Sequence, residues 1–232
     1  MARLPRLTLA HHVHHVIHRG NNRQPVFLDE DDYTQMHALL LQFAAQYGVA
    51  VHAYVLMPTH FHLLATPQTA QALPLLMQAV GRSYARWFNN RHGRSGTLWE
   101  GRYRSTVVEA ERHLLEAMVH IERHPQRDGL ATGAADWLWS SNAHNLGVRQ
   151  DRLVKAHPLF WTLGNTPFAR EAAYAERLNA GLDAASAAAV SASALHGWAL
   201  GGPGFVANMQ AQTGRRAAKA QPGRPRMHKN SE

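Results

Sequence analysis

Cysteine is absent from the 232-residue sequence, which excludes disulfide bonds and thiolate metal sites. Any bound metal must therefore be held by histidine, carboxylate or amide groups. Long apolar runs are absent as well: none approaches the roughly 20 residues of a membrane-spanning helix, and the N-terminus lacks the apolar core of a signal peptide. We therefore expect a soluble, cytoplasmic protein without a membrane partner.

Acidic residues are few, with 16 Asp and Glu against 24 Lys and Arg, so the formal net charge is +8 and the pI is about 10.4. Such an excess of positive charge favours a polyanionic partner. Nucleic acid is the first expectation and an anionic membrane surface the second. The chain is long enough for one domain with a sizeable core and an appended segment.

Histidine is abundant, and two pairs have spacings that suit a metal site. His60 and His62 lie two residues apart in an apolar run, so a strand places both rings on one face. The preceding residues 49–56 predict a second strand of an antiparallel hairpin. His120 and His124 lie four apart in a helical pattern and share a helix face. The chain has 17 histidines, so this spacing alone does not separate a metal site from coincidence.

Apolar periodicity predicts strands alternating with helices, which is typical of an α+β fold with an antiparallel sheet. The predicted strands are 11–18, 49–56, 60–64 and 98–108, and the predicted helices are 29–47, 73–92 and 111–124. Pro58 and Thr59 form the turn of the central hairpin. We attribute the five histidines of the first strand to a strand that leads into a basic turn, rather than to a metal site.

Two basic segments are candidate nucleic-acid contacts. Arg19 and Arg23 flank a turn of Gly and Asn, and Arg102 and Arg104 alternate with aromatic residues in the fourth predicted strand. Arginines next to aromatics suit single-stranded nucleic acid, which presents phosphates and exposed bases. A half-buried edge strand with outward arginines is the alternative. The basic face of helix 73–92 is either a further contact or a solvated surface.

The C-terminal third has a different composition. Residues 150–212 predict a helical appendage, with helices at 166–180 and 184–200 and a break at 201–204. Residues 213–232 predict a disordered basic tail. Within the tail, residues 223–225 resemble the core of an AT-hook, and a solvated tail with non-specific phosphate affinity is the alternative.

Five separated blocks resemble, in order, the REP-associated tyrosine transposases, which belong to the HUH single-tyrosine (IS200-like) transposases. The blocks are His15–Arg23, Met57–Leu64, Leu98–Ser105, Val119–Leu130 and Asp136–Ser141. The resemblance implies an HUH transposase-like domain at 1–149 with a ferredoxin-like sheet and packed helices. It also implies metal-dependent nicking and joining of hairpin, single-stranded DNA during transposition, by a nucleoid-associated monomer or homodimer.

The resemblance further implies the residues of the site. In that family a helix tyrosine attacks a phosphodiester and forms a 5′-phosphotyrosyl link. The divalent metal, Mg or Mn, is held by the His-x-His pair and by a polar residue four positions after the tyrosine. The implied ligands here are His60, His62 and His124, and three imidazoles favour Mn, Co, Ni or Zn over Mg. His120 occupies the position of the tyrosine.

The substitution at position 120 leaves several outcomes open. The first is a catalytically inactive, structure-specific DNA-binding derivative. The second is attack by His120 itself through a phosphohistidine, and the third is the use of another tyrosine, of which Tyr103 is the nearest by motif. A hydrolase of an unrelated phosphoester is a more distant alternative, which only the histidines support.

Overall fold

A four-stranded antiparallel sheet lies at the centre of the structure, a computed structural model that describes residues 7–219. Its strands are β1 (Val13–Arg19), β2 (Val49–Met57), β3 (His60–Pro67) and β4 (Arg104–Val108). The helices are α1 (Glu30–Tyr47), α2 (Ala72–Arg91), α3 (Ala110–Glu122), α4 (His124–Arg127), α5 (Asn142–Asn145), α6 (Pro158–Trp161), α7 (Pro167–Ala180), α8 (Ala184–His196) and α9 (Pro203–Thr213). The strand order β2-β3-β1-β4, with helices after β1 and β3, confirms the predicted ferredoxin-like α+β fold.

The predicted hairpin positions the histidine pair. β2 pairs with β3 through Met57 and His60, which leaves Pro58 and Thr59 as a two-residue turn. β3 is also paired with β1, in a register that sets Ile17 opposite His62 and His15 opposite Leu64. Because β3 is an inner strand, the backbone that carries the two histidines is held by hydrogen bonds on both sides.

Helices cover both faces of the sheet. On one face, α1 and α2 enclose a core that includes Phe61 and Leu63. On the other face, α3 packs over Val55 and Leu64. Side chains alternate along a strand, so His60 and His62 share the α3 face with Leu64. The ends of α1 match the sequence, because Asp29 accepts a hydrogen bond from the Asp32 N–H and Gly48 adopts the left-handed conformation (φ 66°).

The C-terminal helices extend the core on the α3 face. Phe160, Tyr174, Val190 and Leu200 are buried together with residues of α3 and the sheet. The backbone of Leu200 donates to Val107 and accepts from Glu109, which ties the segment after α8 to the edge strand β4. No helix within residues 7–219 is long and apolar enough to cross a membrane.

Four boundaries differ from the sequence prediction. The first strand starts at Val13 rather than at residue 11. The last strand starts at Arg104 rather than at residue 98, since Gly101 turns the chain at φ 63°. Helix α3 ends at Glu122, and α4 restarts at His124 with Pro125 in its first turn, because proline lacks the N–H that would continue α3. α8 ends at His196 rather than at residue 200, and α9 begins at Pro203, inside the predicted break at 201–204.

Residues 214–219, which were predicted as part of the disordered tail, pack against the rest of the protein. The carbonyl of Ala217 accepts a hydrogen bond from the Ala199 N–H, and its side chain is buried with Leu7, Val107 and Met209. The AT-hook resemblance at 223–225 lies outside the described residues.

Candidate metal and nucleic-acid site

Three histidines converge at the end of the hairpin. His60 and His62 come from β3 and His124 from α4, and one ring nitrogen of each lies within 4.8 Å of the others. The ring centroids are 4.8–5.1 Å apart. Histidine nitrogens bind a divalent ion at about 2.1 Å, so the three rings would move closer together around an ion.

Each of the three rings has one nitrogen held by a neighbouring polar atom. The contacts are His62 Nδ1 with His15 Nε2 (2.8 Å), His60 Nδ1 with Thr59 Oγ1 (3.0 Å) and His124 Nε2 with Asp128 Oδ2 (3.4 Å). The second nitrogen of each ring is then the one available to a metal. His124 Nδ1 is buried and has no hydrogen-bond partner among the described residues. Metal-binding histidines are held in this manner, so the residues fit a divalent ion.

Burial and neighbouring positive groups keep the three imidazole rings neutral. Burial, with the nearby His124 as a second cause, lowers the pKa of His60 to about 4 and that of His62 well below its usual value. Burial and the nearby Arg127 lower the pKa of His124 to about 4. Neutral imidazole is the form that binds a metal, so at neutral pH no proton has to be displaced.

His120 lies beside this cluster without joining it. The group of three converging histidines does not include it, and its ring centroid is 6.4 Å from that of His124. Its Nε2 is 3.4 Å from Ser191 Oγ on α8. Burial, followed by the charge of Arg127, lowers its pKa to about 2. The residue at this position is thus a neutral, largely buried imidazole that faces an appended helix.

All of the site residues that the sequence analysis selected line a single cavity of about 390 Å³. These are Arg19, Arg23, His60, His62, Arg102, Arg104, His120 and His124. Sequence reasoning did not select the other seven lining residues, which are His15, Ile17, Thr59, Glu100, Arg127, Ser191 and Leu195. Arg127 lies three residues after His124 inside the Val119–Leu130 block, so its sequence position is a signal that could have identified it.

The arginines differ in what they contact. Arg19 pairs with Glu100 through two hydrogen bonds, Nε to Oε2 at 2.5 Å and Nη2 to Oε1 at 2.9 Å. This pairing raises the pKa of Arg19 and lowers that of Glu100. Arg104 donates from Nη1 to the Leu195 carbonyl (2.8 Å), so α8 holds it at the edge of the cavity. Arg23 has a left-handed backbone (φ 57°), which is uncommon for a long side chain.

None of the six tyrosines, all within residues 7–219, lines this cavity. Tyr103, the alternative nucleophile by motif, is buried instead in a second cleft of about 530 Å³ beside His18 and Trp99. The structure therefore brings three candidate ligands and several cations together without a phenol. Such a set can bind a metal ion and phosphate groups.

The comparisons with known proteins agree with this fold. The family model described as "Transposase IS200 like" matches residues 8–123, half of the chain. A solved structure of a REP-associated tyrosine transposase bound to a REP hairpin has a TM-score of 0.52 at 14% identity, covering 68% of this chain and 93% of that one. A transposase-like protein from Deinococcus radiodurans R1 has 25% identity, covering 50% and 93% of the two chains, with a TM-score of 0.36. No curated protein matches.

Proposed function

The chain belongs to the IS200-like transposase family, and from that premise we propose that it binds hairpin, single-stranded DNA in the cavity around His60, His62 and His124. In this proposal the three histidines hold a divalent metal. We propose further that the chain is a DNA-binding derivative without the tyrosine-dependent strand transfer of its family.

The composition of the cavity carries the proposal. Five neutral imidazoles, three of them the proposed metal ligands, and five arginines line one space, and no tyrosine lines it. A bound metal would supply positive charge against a phosphate oxygen. Arginine side chains bind phosphates through paired hydrogen bonds, so Arg19, Arg23 and Arg102 would hold the backbone on either side. Mn, Co, Ni or Zn suits three imidazoles better than Mg does.

Two observations support a hairpin as the ligand. The structural neighbour with TM-score 0.52 is bound to a REP hairpin, and five arginines line the cavity around the proposed metal ligands. We leave the protein as a monomer or a homodimer in this proposal. The same affinity for DNA would associate the protein with the nucleoid.

A second candidate is strand cleavage with His120 as the nucleophile. The observation that favours it is that His120 lines the cavity next to the proposed metal ligands. Two observations weigh against it: its Nε2 contacts Ser191 on α8, and its Nδ1 is buried, without a hydrogen-bond partner among the described residues. In-line attack requires one of the two nitrogens to face the phosphorus.

The test uses the wild type, His120→Tyr and His120→Ala, each mixed with end-labelled hairpin DNA and Mn²⁺. Adducts that survive denaturation are then separated on a gel. We expect the wild type to shift the DNA under native conditions without forming an adduct, and His120→Tyr to form one. Adding His62→Ala to His120→Tyr should abolish that adduct, which controls for the metal site.

One outcome would replace this proposal with the second candidate. A robust adduct from the wild type that disappears in His120→Ala would identify histidine as the nucleophile. A phosphohistidine link is acid-labile whereas a phosphotyrosine link is stable, so acid treatment of the adduct would distinguish them.

A further inference from the structure

His15 on β1 makes a contact that no part of the proposed function uses. Its Nε2 lies 2.8 Å from Nδ1 of His62, and both side chains are buried. The ring centroids are 5.1 Å apart at an interplanar angle of 33°. The two rings therefore meet edge to edge through their nitrogens, in the geometry of a hydrogen bond rather than of a stack.

The strand register produces this contact. β1 and β3 pair Ile17 with His62 and His15 with Leu64, so His15 is the diagonal neighbour of His62 on the same face of the sheet. Diagonal neighbours lie within reach of ring-sized side chains. Because both strands are inner strands of the sheet, this distance is fixed by backbone hydrogen bonds on either side.

The hydrogen bond has only one direction that is compatible with a metal. If His62 Nε2 binds an ion, its Nδ1 must carry the hydrogen and donate it to His15 Nε2. His15 then accepts at Nε2 and carries its own hydrogen on Nδ1. The geometry at His62 is the arrangement by which metal-binding histidines are oriented, with an imidazole in place of the usual carboxylate or carbonyl acceptor.

Apart from its hydrogen bond to His62, His15 lines the cavity and has an edge contact with the ring of His120 (centroids 6.3 Å apart). Its Nδ1 is buried and has no hydrogen-bond partner within residues 7–219. An apolar side chain would fill this position without leaving a polar atom unpaired. The contact with His62 is thus the polar interaction that the described structure assigns to this imidazole.

We propose that His15 is a positioning residue that fixes the tautomer and orientation of His62, so that His62 Nε2 faces His60 and His124. The proposal rests on the metal site of the proposed function. His15 itself does not coordinate the ion in this proposal; it acts only through its hydrogen bond to His62.

The first experiment measures metal affinity by titration calorimetry with Mn²⁺ and Zn²⁺ on the full-length protein. His15→Leu keeps the volume but removes the acceptor, and we expect its affinity to fall about 10- to 100-fold. His15→Gln can place a carbonyl oxygen near the lost Nε2 and should recover most of the affinity. His14→Leu is the matched control, because His14 is equally buried on the same strand but faces the other side of the sheet.

The second experiment reads the tautomer directly, by ¹⁵N NMR of the histidine rings in the metal-free protein. We expect His62 to carry its hydrogen on Nδ1 in the wild type, and this preference to be lost in His15→Leu. Circular dichroism of each variant establishes that it is folded.

The outcomes separate this inference from the proposed function. Unchanged metal affinity in His15→Leu, with affinity lost in His62→Ala, would overturn the role of His15 and leave the metal site standing. If the wild type binds neither metal, the metal site fails, and the NMR result decides about His15. A single Nδ1–H tautomer that depends on His15 would support the orientation, whereas mixed tautomers in the wild type would overturn it.

Discussion

Charged side chains in the cavity are not equally available to a ligand. Arg19 already has its guanidinium paired with Glu100, while Arg104 is bonded to a backbone carbonyl, which leaves its charge uncompensated. The Arg19 and Glu100 side chains are 29% and 38% exposed, so water screens the pair and its contribution to stability is small. We expect the Arg19–Glu100 pair to affect DNA binding more than stability, because a phosphate would compete with Glu100 for the same guanidinium donors.

We therefore predict that Glu100→Gln strengthens DNA binding. Freeing Arg19 adds one cation for the phosphates, so the slope of log K against log salt should steepen by about 0.7 for a single strand. Fluorescence anisotropy of labelled hairpin DNA over a salt series measures this. Glu176→Gln, at an exposed position of α7, changes the net charge equally and should leave the slope unchanged. Equal effects of both substitutions would refute the local explanation.

Buried histidines also predict how stability depends on pH. Burial lowers the pKa of His14 and of His52 to about 4, whereas both titrate near 6.5 in the unfolded chain. Between these values the unfolded state binds more protons, so stability is highest above about pH 6.5 and falls as the pH drops towards 4. The slope is up to about 1.4 kcal/mol per pH unit for each such histidine.

Urea unfolding at pH 7, 6 and 5 measures this dependence. His52→Gln removes one titrating group and should flatten the curve relative to the wild type. A free energy of unfolding that does not change over this range would show that the two histidines titrate normally in the folded protein.

At the scale of single residues, strand periodicity was enough to pair His60 with His62, and the resemblance selected His124. The helix spacing that paired His120 with His124 was interrupted, because α3 ends at Glu122 and His124 lies on α4. His15 was assigned only to a strand. Its contact with His62 depends on the register between β1 and β3, and a shift of one residue would turn it to the opposite face. Such a register comes from the packing of the whole sheet.

Among the elements, α3 is anchored by a buried carboxylate. Glu122 Oε1 accepts from Ser141 (2.5 Å) and Asn145 (2.6 Å), and Oε2 accepts from Tyr174 (2.8 Å) and Asn142 (3.3 Å). Burial raises the pKa of Glu122, and these donors oppose that rise. The cluster connects α3, which carries His120, to α5 and α7, so the C-terminal helices help to set the position of the site.

We predict that Tyr174→Phe lowers the free energy of unfolding by about 1–3 kcal/mol, because it removes one donor from the buried carboxyl group of Glu122. Glu122→Leu should cost more, because it leaves several buried donors without an acceptor. Urea denaturation measures both. Tyr47→Phe, at a partly exposed phenol at the end of α1, is the control and should lie within about 0.5 kcal/mol of the wild type. A similar small effect for Tyr174→Phe would contradict the anchoring role.

The elements that periodicity predicted well are those whose ends carry local signals, such as α1 between Asp29 and Gly48. The segment 98–103 was predicted as strand because it is rich in aromatic and basic residues. In the structure, Trp99 instead stacks on His18 and donates from Nε1 to the Gly81 carbonyl, contacts that join it to β1 and α2. Tertiary packing therefore overrides the local preference of this segment.

For the whole molecule, the basic residues are spread over both faces of the sheet, so net charge alone does not locate the DNA. Arg23 and Arg102 line the cavity, whereas Arg86 is exposed on α2 on the opposite face and Arg152 is exposed beyond α5. If DNA were held only by the net charge of +8, removing Arg23 and Arg102 would weaken binding as much as removing Arg86 and Arg152. If DNA binds in the cavity, removing Arg23 and Arg102 should weaken it more.

Two double variants test this difference. Arg23→Ala with Arg102→Ala should flatten the salt dependence of hairpin binding by about 1.4 in slope, because two phosphate contacts to a single strand are lost. Arg86→Ala with Arg152→Ala lowers the net charge by the same amount and should change the slope little. Anisotropy titrations of both variants over one salt series provide the measurement. If the second variant flattened the slope as much as the first, the DNA would not be confined to the α3 face. A larger effect from the second variant would place the DNA near Arg86 or Arg152, outside the cavity.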